Sequence, residues 1–376
     1  MATIRERLND VVQQVTTSLR NGVLPWRVMK DRTETYVVCN PANVVTLNPY
    51  QGRNYWLANI ACGLNKWDSA WFATYLQWKE NGCKVKAGEK SVLISKYYEE
   101  QTGFDPNGNP IYDHGWRWYH VFNISQVEAY NPKGEMFLNV SRTAVTNHIT
   151  VEKVYSENLD ENDNPYYNIQ ILDTLPNKIG FDLCVGPTLT TARLDLEQHC
   201  IVMPPKNAFS TTESYYMSLL VQVVLASANA CGRLKDRTAG VQLNARERLV
   251  AEMSAIYLAD AFGIISPLQA VESGVITQWI SSIESNERYL FDVIGDAVKT
   301  SRYIMEKLGI NIIENKKNLE KKIKEENFIF LFAPHYHLAM KNVASVRKNL
   351  PFKTIFNLLG PLINPGFVKK QMHELS

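Results

Sequence analysis

The sequence predicts an α+β protein of several domains, on three observations. Residues 1–130 hold seven of the eight tryptophans and nine of the eighteen tyrosines, set among turn signals and alternating segments. From Tyr215 the apolar spacing turns helical and stays so to about residue 307. The charge is uneven: Lys and Arg exceed Asp and Glu by 2 in residues 1–130, fall short by 6 in 131–305 and exceed them by 6 in 306–376. These shifts divide the chain into a mixed α+β N-terminal domain at 1–130, a linker or surface insertion at 131–165, a mainly helical middle domain at 166–305, and a short α/β fragment at 306–376.

The elements follow in order. Ile4, Leu8, Val11, Val12, Val15 and Leu19 recur at helical spacing, and Asn21-Gly22 supplies a stop, so residues 2–21 are expected to be a helix. "SVLISKYYEE" and "GWRWYHVFNI" alternate on either side of the Asp105-Pro106-Asn107-Gly108 turn signal, which predicts a long hairpin. Residues 131–165 are polar and irregular. Helices are expected at 213–231, 244–262, 267–284 and 286–307.

A hydrophobic fraction of 45% excludes a disordered chain. No window approaches 18 uninterrupted apolar residues, and "MATIRERLNDVV" has no signal-peptide core, so no membrane partner is expected and a cytoplasmic address is. Cys39, Cys62, Cys83, Cys184, Cys200 and Cys231 are dispersed without a CxxC pair, which predicts reduced thiols and no cysteine zinc site.

Aromatics interleaved with cations suit single-stranded nucleic acid, because bases stack on ring faces while cations follow the phosphates. Three clusters have that composition: "LPWR", "NPYQGRNYWLANI" and "GCKVKAGEKS". The candidate DNA-binding residues are Trp26, Arg27, Arg53, Tyr55, Trp56, Trp71, Lys84, Lys86 and Lys90. Composition alone favours an aromatic core, and an excess of two positive charges over 130 residues is a weak electrostatic footprint.

The order of PWR, NPYQGRNYWLANI, WFATYLQWKENGCKVKAGEKS and YHVFNISQVE resembles the N-terminal domain of ArdC-type antirestriction proteins of conjugative plasmids and phages. Pro25, Trp26, Arg27, Gly52, Arg53, Tyr55, Asn59, Trp71, Gly82, Lys86, Gly88, Glu89 and Lys90 fit that pattern, and Tyr50 departs from it. The resemblance implies a fold that binds single-stranded DNA, followed by a zincin-like metallopeptidase domain. "EQHCIVMPPKNAFSTTESYYMSLL" and "NARERLVAEMSAIYLADAFGI" resemble the segments that flank that family's His-Glu-x-x-His helix. In that motif, two imidazoles on one helix face hold zinc and the glutamate activates its water.

Alignment on Tyr215, Tyr216 and Leu219 puts Val221 and Leu225 at the histidine positions and Gln222 at the glutamate, while Glu252 matches the third ligand. Catalytic residues, metal and cofactor are therefore all expected to be none, and the middle domain is read as a pseudoenzyme.

Residues from about Tyr303 resemble an internal fragment of anthranilate phosphoribosyltransferase, through "NFIFLFAPHYHLAMKNVASVRKNL" and "FKTIFNLLGPLINP". His335, His337 and Arg347 fall at anthranilate-side positions of that family, while Leu338, Pro351 and Lys353 depart from its pattern. The phosphate-cradling loop and the magnesium carboxylates of such an enzyme are absent from the sequence.

The leading expectation is single-stranded-DNA binding with antirestriction-like protection of incoming DNA. The alternatives are a pseudoenzyme that captures a host protein without DNA, residual metal-dependent hydrolysis, and anthranilate phosphoribosyltransferase activity.

Overall fold

The computed structural model describes residues 3–27, 40–104, 110–143, 154–155, 166–233, 244–264 and 271–310. His335, His337 and Arg347 lie outside the described residues.

The fold is mixed α+β, as the sequence predicts. Helix α1 (Ile4–Arg20) starts at a capping box: the Thr3 hydroxyl accepts from the Glu6 amide, and the Glu6 carboxylate accepts from the Thr3 amide. Then come β1 (Ala42–Asn43), α2 (Arg53–Asn65), β2 (Trp71–Thr74), α3 (Tyr75–Glu80), β3 (Cys83–Val85), the long strands β4 (Val92–Phe104) and β5 (Pro110–Asn123), and β6 (Val127–Ala129). The four-stranded sheet runs β1-β2-β5-β4, with β4 and β5 forming the expected antiparallel hairpin in the register Tyr97↔Trp116. Helix α2 is clamped to β4 by Asn54, whose side chain donates to the Ser95 carbonyl at 2.6 Å and accepts from the Ser95 amide at 2.8 Å.

Residues 132–143, expected within a linker, form helix α4 (Pro132–Thr143). The Asn131 side chain accepts from the Gly134 amide at 2.9 Å, Pro132 presets the first turn, and Leu138 is buried with Trp78, Cys83 and Val127. Phe137 packs beside it, its ring centre 5.9 Å from that of Trp78, so two adjacent apolar side chains anchor the helix.

The second half contains β7 (Val154–Tyr155), β8 (Tyr167–Asn168), short turns α5 (Gln170–Asp173) and α6 (Leu175–Lys178), then β9 (Asp182–Val185), β10 (Arg193–Asp195) and β11 (Cys200–Met203). The sheet order is β10-β11-β9, with β9 and β11 parallel. Helices α7 (Thr212–Ala226), α8 (Ala245–Ala261), α9 (Ser273–Ser285) and α10 (Tyr289–Lys307) follow close to the expected ranges.

The expectation of reduced thiols is corrected at one pair, since Cys184 and Cys200 form a disulfide. They are 16 residues apart in sequence, and the parallel pairing of β9 with β11 brings them together.

The described residues belong to one compact unit, Met1–Ile310, because a single core crosses the two halves. Val12, Val15, Leu19, Trp26, Tyr55, Trp56 and Ile60 from the first half pack with Leu249, Met253, Ile256, Trp279, Leu290 and Val293 from the second. Helix α8 is the centre of that core, with 13 of its residues buried, so it has no amphipathic stripe. Among the described residues no helix is long and apolar enough to cross a membrane.

Burial pushes the Asp260 carboxyl up to about 8, against a hydrogen bond from Tyr55 that lowers it. A carboxyl raised in this way holds its proton in the folded state and loses it near pH 4 when unfolded. Its stabilising contribution is therefore complete below about pH 4 and is lost as pH rises through about 8. In urea unfolding at pH 5 and pH 8.5, Asp260→Asn should lose less stability across that interval than the parent chain. Reduction of the Cys184–Cys200 bridge should lower stability by at most about 3 kcal/mol, read as a melting shift with dithiothreitol.

Candidate functional site

Helix α7 begins at Thr211, whose hydroxyl accepts from the Ser214 amide, and α8 begins at Asn244, whose side chain accepts from the Glu247 amide. The two helices pack together and flank a cavity of about 460 Å³. Val221, Gln222 and Leu225 of α7 line it, with Glu252 of α8. The four positions singled out in the sequence therefore share one cavity wall.

Glu252 is not a free ligand there. Arg27 holds it bidentately, Nε to Oε1 at 2.8 Å and Nη2 to Oε2 at 2.9 Å, and the Trp26 indole Nε1 donates to Oε1 at 2.6 Å. The pair is buried, with 6% of the Arg27 side chain and 8% of the Glu252 side chain exposed. Trp26 is held in turn by an edge contact with Trp279, ring centroids 6.0 Å apart, and the Trp279 indole donates to the Ala245 carbonyl at 2.6 Å. Gly63 makes room for this arrangement, since a Cβ there would lie 1.8 Å from the Pro25 carbonyl oxygen. The Pro25-Trp26-Arg27 stretch can therefore lie against α2 and aim both side chains at α8.

Two aliphatic side chains, one amide and one carboxylate already occupied by a guanidinium do not fit a divalent metal ion. Among the described residues no group of three or more His, Cys, Asp or Glu could hold one. Cys200 is in the disulfide, Cys231 is buried, and His199 stacks on Phe181 at 5.6 Å.

The nine DNA-binding candidates separate into two groups. Trp26, Arg27, Tyr55, Trp56 and Trp71 are buried, and rings enclosed by core neighbours leave no face for a base to stack on. Arg53, Lys84, Lys86 and Lys90 are exposed. Lys84 pairs with Glu128 at 3.1 Å, and Lys86 donates to the Ser125 carbonyl at 2.9 Å.

Exposed aromatics stand instead on the hairpin. Trp116 is 60% exposed and Tyr97 48%, with ring centroids 5.5 Å apart. His114 lies 6.2 Å from Tyr97, and the Arg53 guanidinium lies 6.0 Å from the Trp116 ring centre. On the opposite face, Arg117 lies 4.0 Å over the Tyr98 ring. The alternation in "GWRWYH" carried this signal, since it predicts which rings share a face.

Three family models match successive parts of the chain: the N-terminal domain of anti-restriction factor ArdC at residues 5–122, a zincin-like metallopeptidase at 172–295, and a glycosyl transferase family a/b domain at 301–374. The chain carries an ArdC-type N-terminal domain followed by a zincin-like metallopeptidase domain.

Two crystal structures of the antirestriction ArdC protein from the R388 plasmid share this ArdC-like fold. The metal-free one matches with a TM-score of 0.55 at 19% identity, covering 80% of this chain and 97% of that one. The Mn(II)-bound one gives 0.54 at 20%, covering 83% and 100%. The C-terminal anthranilate phosphoribosyltransferase-like segment is 58% identical over 69 residues to the enzyme of Sulfurisphaera tokodaii, and 54% to that of Chloroherpeton thalassium. The match covers 18% of this chain, which spans about a fifth of the length of those enzymes.

Truncating Arg27 leaves a buried carboxylate without its cation, whereas replacing both partners by apolar residues removes the charges together. Arg27→Ala should cost about 3–5 kcal/mol in denaturant unfolding, and Arg27→Met with Glu252→Leu much less.

Proposed function

We propose that this chain binds single-stranded DNA on the β4–β5 hairpin and protects incoming mobile-element DNA stoichiometrically, in an antirestriction-like role in the cytoplasm. The observation that carries this reading is the Trp116–Tyr97–His114 ledge with Arg53 beside it. Exposed rings at the edge of a sheet offer π-faces to successive bases, and every base has such a face, so the binding is tolerant of sequence. Arg53, Lys84, Lys86 and Lys90 supply exposed cations for phosphates. The match of residues 5–122 to the N-terminal domain of an anti-restriction factor supports the role.

In this reading the zincin-like half performs no peptide hydrolysis. Val221 and Leu225 have no lone pair for a metal, and the Gln222 amide does not take up a proton as a general base must. The phosphoribosyltransferase-like segment contributes no transfer step, because the chain has no phosphate cradle for the anionic substrate.

Tryptophan fluorescence titration with single-stranded and duplex DNA over a salt series tests the proposal. Single strands should bind preferentially, with affinity falling steeply as salt rises. Trp116→Ala should weaken binding by about 1–3 kcal/mol, as loss of one stacking platform does. Arg53→Ala should reduce the salt slope by about one unit. No binding at low salt by a folded sample rejects the reading.

A further inference from the structure

The cleft between α7 and α8 has a cavity of about 460 Å³ whose lining is unlike that of a metal site. The buried part is apolar: Leu225, Met217 and Ala251, continued by half-buried Val221. The more exposed part carries the hydroxyls of Thr190, Ser210, Ser214 and Ser218.

Among the described residues, three charged side chains line the cavity: Arg27, Glu252 and Arg248. The first two neutralise each other in their bidentate pair. Arg248 is different. Its side chain is 36% exposed, and its acidic neighbour, Glu272, lies 3.9 Å away and is itself 79% exposed. A contact that long between solvated groups holds neither side chain strongly. Glu272 is not part of the lining, so the cavity itself carries one surplus positive charge at the mouth of an apolar recess.

We propose that this cavity binds a small amphiphilic carboxylate, with its head on Arg248 and its apolar body over Val221 and Leu225. A guanidinium forks onto a carboxylate with two parallel hydrogen bonds, and the seryl and threonyl hydroxyls at the mouth can donate to the same oxygens. The apolar body gains by leaving water for an aliphatic floor. The cavity volume of about 460 Å³ falls inside the rough range of 300–1,000 Å³ usual for small-molecule sites. The same head group is presented by a free carboxylic acid and by the C-terminus of a peptide. This site is separate from the hairpin, so it stands or falls independently of DNA binding.

Isothermal titration calorimetry of the full chain tests it, with octanoate as the probe and octanol and octylamine as its uncharged and cationic counterparts. Octanoate should bind about tenfold or more tightly than either, the size expected from a charge-assisted hydrogen bond. Arg248→Gln should erase that preference, and Leu225→Trp, which fills the recess, should abolish binding of all three.

If Leu225→Trp fails to fold by circular dichroism, Ser218→Trp at the half-buried edge replaces it. An apolar tetrapeptide with a free C-terminus, compared with its amide, separates the two sources: tighter binding than octanoate, lost on amidation, assigns the site to peptide ends. Octanoate alone assigns it to free acids. Equal binding of octanoate, octanol and octylamine, or unchanged octanoate affinity in Arg248→Gln, overturns the proposal.

Discussion

The buried pair between Arg27 and Glu252 is the constraint on which the arrangement of the two halves depends. Glu252 lies on helix α8, 13 of whose residues are buried, and a carboxylate on a side chain only 8% exposed is costly unless a cation and hydrogen-bond donors come with it. The donors come from the other half of the sequence, 225 residues away, in the turn that follows α1. Meeting them fixes the position of Trp26, which fixes its contact with Trp279, and so joins α1, α2, α8 and α9 into one core.

Helix α8 handles three buried acids in three ways. Glu252 is paired with Arg27; Glu247 is paired with Arg233 at 3.1 Å, and Arg233 also donates to the Val224 carbonyl at 2.8 Å. Asp260 has a partner in Tyr55, and its carboxyl is driven toward the neutral form by burial. A helix whose surroundings are otherwise apolar tolerates acids only by pairing or by protonation, and α8 uses both. The lysine at the approach to α7 shows the same economy of partners: Lys206 donates to the Tyr216 hydroxyl at 2.9 Å and to the Tyr167 carbonyl at 3.1 Å, tying α7 to β8.

What could be read from the sequence followed the range of the forces involved. The four long helices from Thr212 onward and the β4–β5 hairpin were legible, because caps, turn residues and apolar spacing act over a few neighbours. Helix α4 escaped notice since its anchors Phe137 and Leu138 meet Trp78 only in the fold, and the disulfide since its cysteines meet only through parallel strands that are not consecutive. In the candidate site, Val221, Gln222, Leu225 and Glu252, grouped in the sequence by alignment, line one cavity, while the purpose of Trp26 and Arg27 was not visible. An indole beside a guanidinium suits a nucleotide and a buried carboxylate equally well, and only the fold says which one it meets. Trp116 lay in a segment that the alternation marked as a strand, and only the fold shows that its face is open.

The Arg27–Glu252 pair also gives a physical account of how a zincin-like frame stands without metal ligands. In a metal site the third-ligand carboxylate is neutralised by the cation it binds. Val221 and Leu225 beside it offer no metal ligand, and without a cation Glu252 would be a lone carboxylate in a largely apolar recess. The guanidinium supplies the missing positive charge in a fixed, bidentate form, and the indole supplies a further donor. The pairing with Arg27 makes the carboxylate an internal tie between the two halves. The third charged residue of the cavity lining, among the described residues, is Arg248, whose pairing with exposed Glu272 at 3.9 Å is loose.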